Sequence, residues 1–201
     1  MNPMLEKIDP DKREQIINAA MKEFSGSGYD KASTNMIVQQ AGISKGLLFH
    51  YFKNKETLYS CIKEYAMDFI IRTVQENVNW QEHDFFERVT TILHVKYSAM
   101  SRYPYIYDFL KITLQDVSIE EMLRNLPEES KDLMRKTFTQ NIDFSLFKPD
   151  INIEHAMNII YWSLSGLNNE LWQKRNGPID FSSVFTIYED YIRTLQTLFY
   201  R

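Results

Sequence analysis

Between Lys31 and Lys55 the chain places four lysines, Lys31, Lys45, Lys53 and Lys55, and no acid, although its net charge is −4. The same stretch holds Ser33, Thr34, Ser44, His50 and Tyr51. Cations with hydroxyl, phenol and imidazole donors suit one kind of chemistry: neutralising and hydrogen-bonding phosphate, and meeting base edges, with no bond made or broken. A local patch of positive charge supplies such affinity even when the net charge opposes it. A protein of this balance is expected to bind tightly only when paired with a second copy.

These groups must be held by two short helices around a tight turn. Gly42 follows the apolar run Met36, Ile37, Gln40, Ala41, where a helix ends in a left-handed residue. Ser33 and Ser44 stand where N-caps belong, each offering a hydroxyl to an orphan amide. Two helices broken at Ala41-Gly42-Ile43 match helix-turn-helix geometry, the second helix entering a major groove. Ile37, Ala41, Ile43, Leu48 and Phe52 are predicted to hold the pair together, leaving Lys45, Gly46, Leu47, Phe49 and His50 facing outward.

The run Ala41-Gly42-Ile43-Ser44-Lys45-Gly46, then Leu48-Phe49-His50-Tyr51-Phe52-Lys53-Asn54-Lys55-Glu56 and Leu58, resembles the DNA-binding domain of the TetR/AcrR family of bacterial transcription regulators. The resemblance reaches back through Lys12 to Gly28 and covers the first 60 or so residues; beyond them it rests on length and helical pattern. It implies phosphate contacts from Thr34, Lys45, Tyr51 and Lys55, helped by Ser33, Ser44 and helix amides. Base contacts are expected from Lys45, Gly46, Leu47 and His50. Two positions depart from the family. Phe49 stands where a tyrosine commonly reaches a phosphate, and Leu47 stands where a small or polar residue is usual. Leu47 is suited to a thymine methyl, with packing under a shifted helix as the other reading.

The rest of the chain reads as helix, for an all-α fold of about nine helices divided into 1–53, a three-helix DNA-binding domain, and 54–201, an effector-binding and dimerisation domain. Asp9 and Pro10 start a first helix, predicted to end at Ser25 before Gly26-Ser27-Gly28. Asn54 caps a long helix reaching the high seventies. A fifth helix, with Phe86, Val89, Leu93, Tyr97 and Met100 on one face, stops near Tyr103, and Pro104 starts a sixth. A short piece is expected around Ile119 to Leu126. Leu133, Met134, Phe138 and Ile142 mark a seventh helix between Pro127 and Pro149. Asn152 caps an eighth that runs to Gly177-Pro178, and a ninth spans Phe181 to Phe199.

That last helix is apolar around much of its circumference, which calls for a second packing partner. The resemblance implies the same two helices of another subunit. Such a homodimer presents its recognition helices to successive major grooves, about 34 Å or more apart, on a palindromic double-stranded operator. It also implies a small-molecule effector pocket among the middle helices, where Tyr97, Met100, Tyr107, Met134, Phe138 and Trp162 make an adaptable apolar lining. Each of these is also what an ordinary core would use.

Other functions find less support. His50, His83, His94 and His155 are scattered without metal-ligand spacing, and no nucleophile elbow or phosphate-cradling glycine loop appears, so neither a metal, a cofactor nor an enzyme is expected. Cys61, the single cysteine, has apolar neighbours at helical spacing and reads as a buried small hydrophobe. No run approaches 18 apolar residues and the N-terminal residues lack a signal-peptide core, so a cytoplasmic protein without a membrane span is expected. The sequence leaves two readings: a ligand-responsive repressor, and a helical adaptor whose helix-turn-helix binds protein. They differ in whether DNA affinity depends on sequence.

Overall fold

The computed structural model describes residues 3–113, 128–174 and 181–201. Among them stand ten α-helices and no strand. They are α1 Pro3–Glu6, α2 Pro10–Lys31, α3 Thr34–Gln40, α4 Lys45–Phe52, α5 Lys55–Asn77, α6 Phe85–Arg102, α7 Ile106–Thr113, α8 Glu128–Thr139, α9 Ile153–Gln173 and α10 Phe181–Phe199. None of them is long and apolar enough to cross a membrane. The chain divides into two compact units, residues 1–73 with 98–127 and residues 74–97 with 128–201.

In the first unit, α2 packs on α3 and α7. Asp9 caps α2 by accepting from the Lys12 amide at 3.2 Å, with Pro10 just inside. Ile16, Ile17, Ala20 and Phe24 are buried along it, as their spacing predicts. Around Phe24 gather Tyr59 at 5.0 Å and Phe109 at 6.1 Å between ring centroids, and Tyr29 folds back to stack at 6.3 Å. Tyr65 and Tyr103 share a buried hydroxyl contact of 2.7 Å. Burial and that bond push the Tyr103 phenol well above its usual range.

Two expectations here are corrected. The first helix does not stop before Gly26: it continues to Gly28, which alone of the two glycines takes a positive φ, 71°. The sixth helix begins at Ile106, with Pro104 and Tyr105 in the preceding turn, closed by the Ile106 amide on the Tyr103 carbonyl at 3.0 Å. The short α1, which buries Leu5, has no counterpart in the predicted elements.

The second unit is organised by α9 against α10 and by the start of α6. Phe85, Phe86, Phe147, Ile160 and Ile192 lie in its core. Asn152 caps α9 through the His155 amide at 3.0 Å, as expected. The N-terminus of α6 is capped by Asp84, whose Oδ1 accepts from the Phe86 amide at 2.8 Å and the Glu87 amide at 3.1 Å. Tyr200 closes over this cap: its hydroxyl donates to Asp84 at 3.2 Å and accepts from the Phe85 amide at 3.0 Å. Its backbone forms a bridge to Phe147. Fully buried Arg88 donates to the carbonyls of Lys136, Gln140, Trp80 and Glu82, closing the C-terminal end of α8 onto the 80–82 loop.

Ile142 is buried, but it is not helical. The seventh predicted helix, α8, ends at Thr139, and Asn141 turns the chain with φ 58°. The piece expected around Ile119 to Leu126 and the stop at Gly177-Pro178 lie outside the described residues.

Candidate nucleic-acid interface

Each helix of the pair from Ser33 to Phe52 is begun by a side chain and their turn is closed by the backbone. Ser33 Oγ accepts from the Met36 amide at 3.4 Å, and Ser44 Oγ from the Leu47 amide at 3.1 Å. Both hydroxyls keep their own hydrogen available as donors. Between the helices Gly42 has φ 63°, and the Gly42 and Ile43 amides donate to the Gln39 and Val38 carbonyls at 3.3 and 3.1 Å. Buried Ile37, Ala41, Leu48 and Phe52 fasten α3 to α4, with Ile43 half-buried. That arrangement leaves one side of α4 in water.

On that side Lys45, Gly46 and His50 are exposed, while Leu47, Phe49 and Tyr51 are half-buried. The Lys45 ammonium lies 5.9 Å from the centre of the Phe49 ring, so Phe49 carries the lysine stem where a tyrosine would offer a hydroxyl. His50 meets the edge of Tyr51 at 5.4 Å. Ser33 and Thr34, both half-buried, sit at the start of α3. Gly46 has open space around it, a Cβ there meeting nothing nearer than Ser44 Oγ at 4.0 Å. Internal crowding therefore does not require a glycine at this position.

Lys55 is placed otherwise than the sequence suggests. Its ammonium donates to the carbonyls of Tyr29, Asp30 and Ala32 at 2.8, 3.1 and 3.3 Å and lies 4.8 Å from the Tyr29 ring centre. Its three acceptors all lie at the end of α2, so Lys55 is a clamp inside the unit, where the sequence suggests a phosphate contact. Between α4 and α5 the chain turns sharply at Lys53, with φ 56° and ψ −51°. The Asn54 amide reaches the Phe52 carbonyl at 2.5 Å, a γ-turn of the strained kind. Asn54 then caps α5 by accepting from the Thr57 amide at 2.7 Å.

The residues expected to line an effector pocket are less unified. Tyr97, Phe138 and Trp162 belong to the second unit, Met100 and Tyr107 to the first, and the Met134 side chain lies outside the described residues. Tyr97 is buried, stacking on Trp172 at 6.5 Å and tilted against Tyr188 at 5.9 Å. Phe138 packs beside Phe85 at 5.9 Å. Trp162 is 64% exposed, on the surface of α9 with Ile159 and Tyr161, and so does not line an enclosed space in this chain. Ile187, Tyr191 and Leu198 are likewise exposed on α10.

A groove of about 710 Å³ in the first unit, unanticipated from sequence, is lined by Asp11, Glu14, Asn18, Lys22, Gln40 and Tyr105. Its polar lining has no counterpart in the aromatic pattern that guides the search for an effector. No group of three or more potential metal ligands occurs among the described residues. Cys61 is buried, and burial with the nearby Glu64 pushes its thiol up to about 12, which suits a packing residue and not a redox sensor.

Residues 16–61 match the model of the bacterial regulatory proteins, tetR family. The chain is 20% identical over 152 residues to the fatty acid metabolism regulator protein of Bacillus subtilis (strain 168), covering 75% of this chain and 78% of that one. It is 40% identical over 48 residues to the HTH-type transcriptional repressor Rv1474c of Mycobacterium tuberculosis (strain ATCC 25618 / H37Rv), a match that covers 24% of this chain and 26% of that repressor. The fold is shared with the crystal structure of a TetR family transcriptional regulator from Chloroflexus aurantiacus J-10-FL. The TM-score is 0.66 at 20% identity, over 98% of this chain and 97% of the other.

Proposed function

Because the chain belongs to the TetR family of DNA-binding transcriptional regulators and is not an enzyme, we propose that it acts as a homodimeric repressor in the cytoplasm. In this reading it leaves a palindromic operator when a small, largely apolar effector binds. The observation that carries this reading is the free side of α4, where exposed Lys45, Gly46 and His50 follow an N-capping Ser44 in a stretch without acids. Lys45, Thr34, Tyr51 and the two capping serines meet phosphates, and helix amides point the same way. Gly46, Leu47 and His50 meet bases, the open space at Gly46 letting the helix come close to the duplex.

Pairing follows from the exposed apolar faces of two helices, Ile159 and Trp162 on α9 and Ile187, Tyr191 and Leu198 on α10. Covering them with the same faces of a second copy gives a two-fold dimer and hence a palindrome. The apolar character of the effector is supported by the aromatic residues of the second unit and, as analogy only, by a relative whose name refers to fatty acid metabolism. Ligand binding lowers operator affinity only as far as it favours the arrangement that fits the operator less well.

Selection of binding sites from a random duplex library with the purified protein at near-physiological salt tests the reading. Enrichment of a palindrome, preferred at least about a thousandfold over random duplex, is expected. Weak binding indifferent to sequence would move the assignment to the protein-binding adaptor.

A further inference from the structure

The stretch from Lys31 to Lys55 holds no acid of its own, yet the fold sets one against it. Glu23, on α2 and ten positions before Ser33, accepts from the Ser33 amide through Oε1 at 2.9 Å. The same oxygen, with a lone pair for each, accepts from the Ser27 hydroxyl at 3.3 Å. Ser33 is where α3 begins, with φ −105° and ψ 117°. Its own cap is long: Oγ accepts from the Met36 amide at 3.4 Å, beyond the usual range for an N–H···O bond. The bond to Glu23 is shorter and charge-assisted, so it is the firmer of the two holds on this residue. Just before it, Lys55 fixes the carbonyls of Tyr29, Asp30 and Ala32. The connection from α2 to α3 is therefore gripped by a cation on its carbonyls and an anion on the Ser33 amide.

What this grip fixes is direction. The Ser33 hydroxyl still has its own hydrogen to give, and the backbone of Ser33 sets where that hydrogen and the Thr34 hydroxyl can point. Hydrogen bonds weaken steeply with misalignment, so hydroxyls aimed by a fixed backbone serve a phosphate better than hydroxyls on a loose turn. We propose that Glu23 is a positioning residue for DNA binding: by holding the Ser33 amide it aims the Ser33 and Thr34 hydroxyls at the phosphate backbone and touches no DNA itself. The inference rests on the operator-binding reading above and adds to it a residue outside the helix-turn-helix. The charge of Glu23 works against its position, since a carboxylate close to those hydroxyls repels phosphate. Glutamine keeps the acceptor oxygen and drops the charge, whereas leucine, of similar size, drops both.

Affinity of the full chain for the operator that the native protein selects, measured against salt, tests the role. Glu23→Leu should weaken operator binding about tenfold and flatten the salt slope by about one unit, as a phosphate contact is lost. Glu23→Gln should bind at least as tightly as the native protein, with the native slope. Hydrogen exchange at the Ser33 amide reads the grip without DNA: it should be faster in Glu23→Leu and native-like in Glu23→Gln. Native affinity and slope in Glu23→Leu would overturn the proposal, and so would Glu23→Gln weakened as much as Glu23→Leu. A lower melting temperature with an unchanged slope would also overturn it, leaving Glu23 a residue of stability alone. If Glu23→Leu does not fold, Glu23→Ala is read by the same slope and exchange. A native protein that selects no operator would overturn the regulator reading and this role with it, whereas a native protein that selects one leaves that reading standing whatever the variants show.

Discussion

In the helix-turn-helix the side chains that begin the helices come from three residues away, whereas the second unit adds to caps of that kind clamps that come from across the chain. Ser33, Ser44 and Asn54 each accept from the amide three positions on. Arg88 instead reaches carbonyls 48 and 52 residues later, and Tyr200 reaches Asp84 over 116. Local caps let the reading helices form from their own sequence and keep their outer side free for a ligand as large as a duplex. Long-range clamps bring distant segments into one core, so their loss should be felt by the whole unit. Beside the helix-turn-helix, Lys55 is a clamp of the long-range kind, reaching 26 residues back to Tyr29.

The largest test of this contrast is Arg88→Met. It leaves four carbonyls of the 80–82 and α8 segments without their charged donor, and unfolding by urea should show a loss of about 3 kcal/mol or more. A loss below about 1 kcal/mol would mean that water replaces the guanidinium and that the clamp is dispensable. Lys55→Ala should cost about 1–2 kcal/mol of stability while the salt dependence of operator binding keeps its slope. A slope flattened by about one unit would return Lys55 to the phosphate contacts.

Ser44→Ala should cost about 1 kcal/mol through the lost N-cap, with Ser44→Asp recovering most of it; equal stability of the alanine variant would show that the cap at α4 is not needed. Lys45→Ala sharpens the other side of the comparison. Its stability should move by less than about 0.5 kcal/mol, and its salt slope should fall by about one unit. An unchanged slope would remove Lys45 from the phosphate contacts. The smallest effect is expected at Lys53, whose strained turn glycine adopts without steric cost. Lys53→Gly should raise the unfolding midpoint slightly, by up to about 1 kcal/mol in stability, and a lower midpoint would show that the turn is not strained.

The same difference in range explains what could be read from the chain in advance. The caps at Asp9, Ser33, Ser44, Asn54 and Asn152 were legible because each acts within its own first turn, and α10 was legible from its apolar spacing. Gly26 and Gly28 were not separable, since a glycine inside a helix costs only about 1 kcal/mol and either could have ended it. Ile142 keeps the apolar period beyond the last helical residue because burial, not helicity, maintains the period there. Lys55 looked like a surface cation because nothing local announces the three carbonyls it meets. Trp162 shows the limit from the other direction: an aromatic residue among core residues reads as core until the face it occupies is known.

The three carbonyls around Lys55 bear on its reactivity as well as on stability. In acylation the lone pair of a neutral amine attacks the reagent, so an ammonium donating to three carbonyls must first leave them and give up a proton to solvent. Exposed Lys45 and Lys53 face no such requirement. In the native protein, label should therefore reach these two first and Lys55 only as the end of α2 opens, so the order of acylation becomes a clock for that local opening.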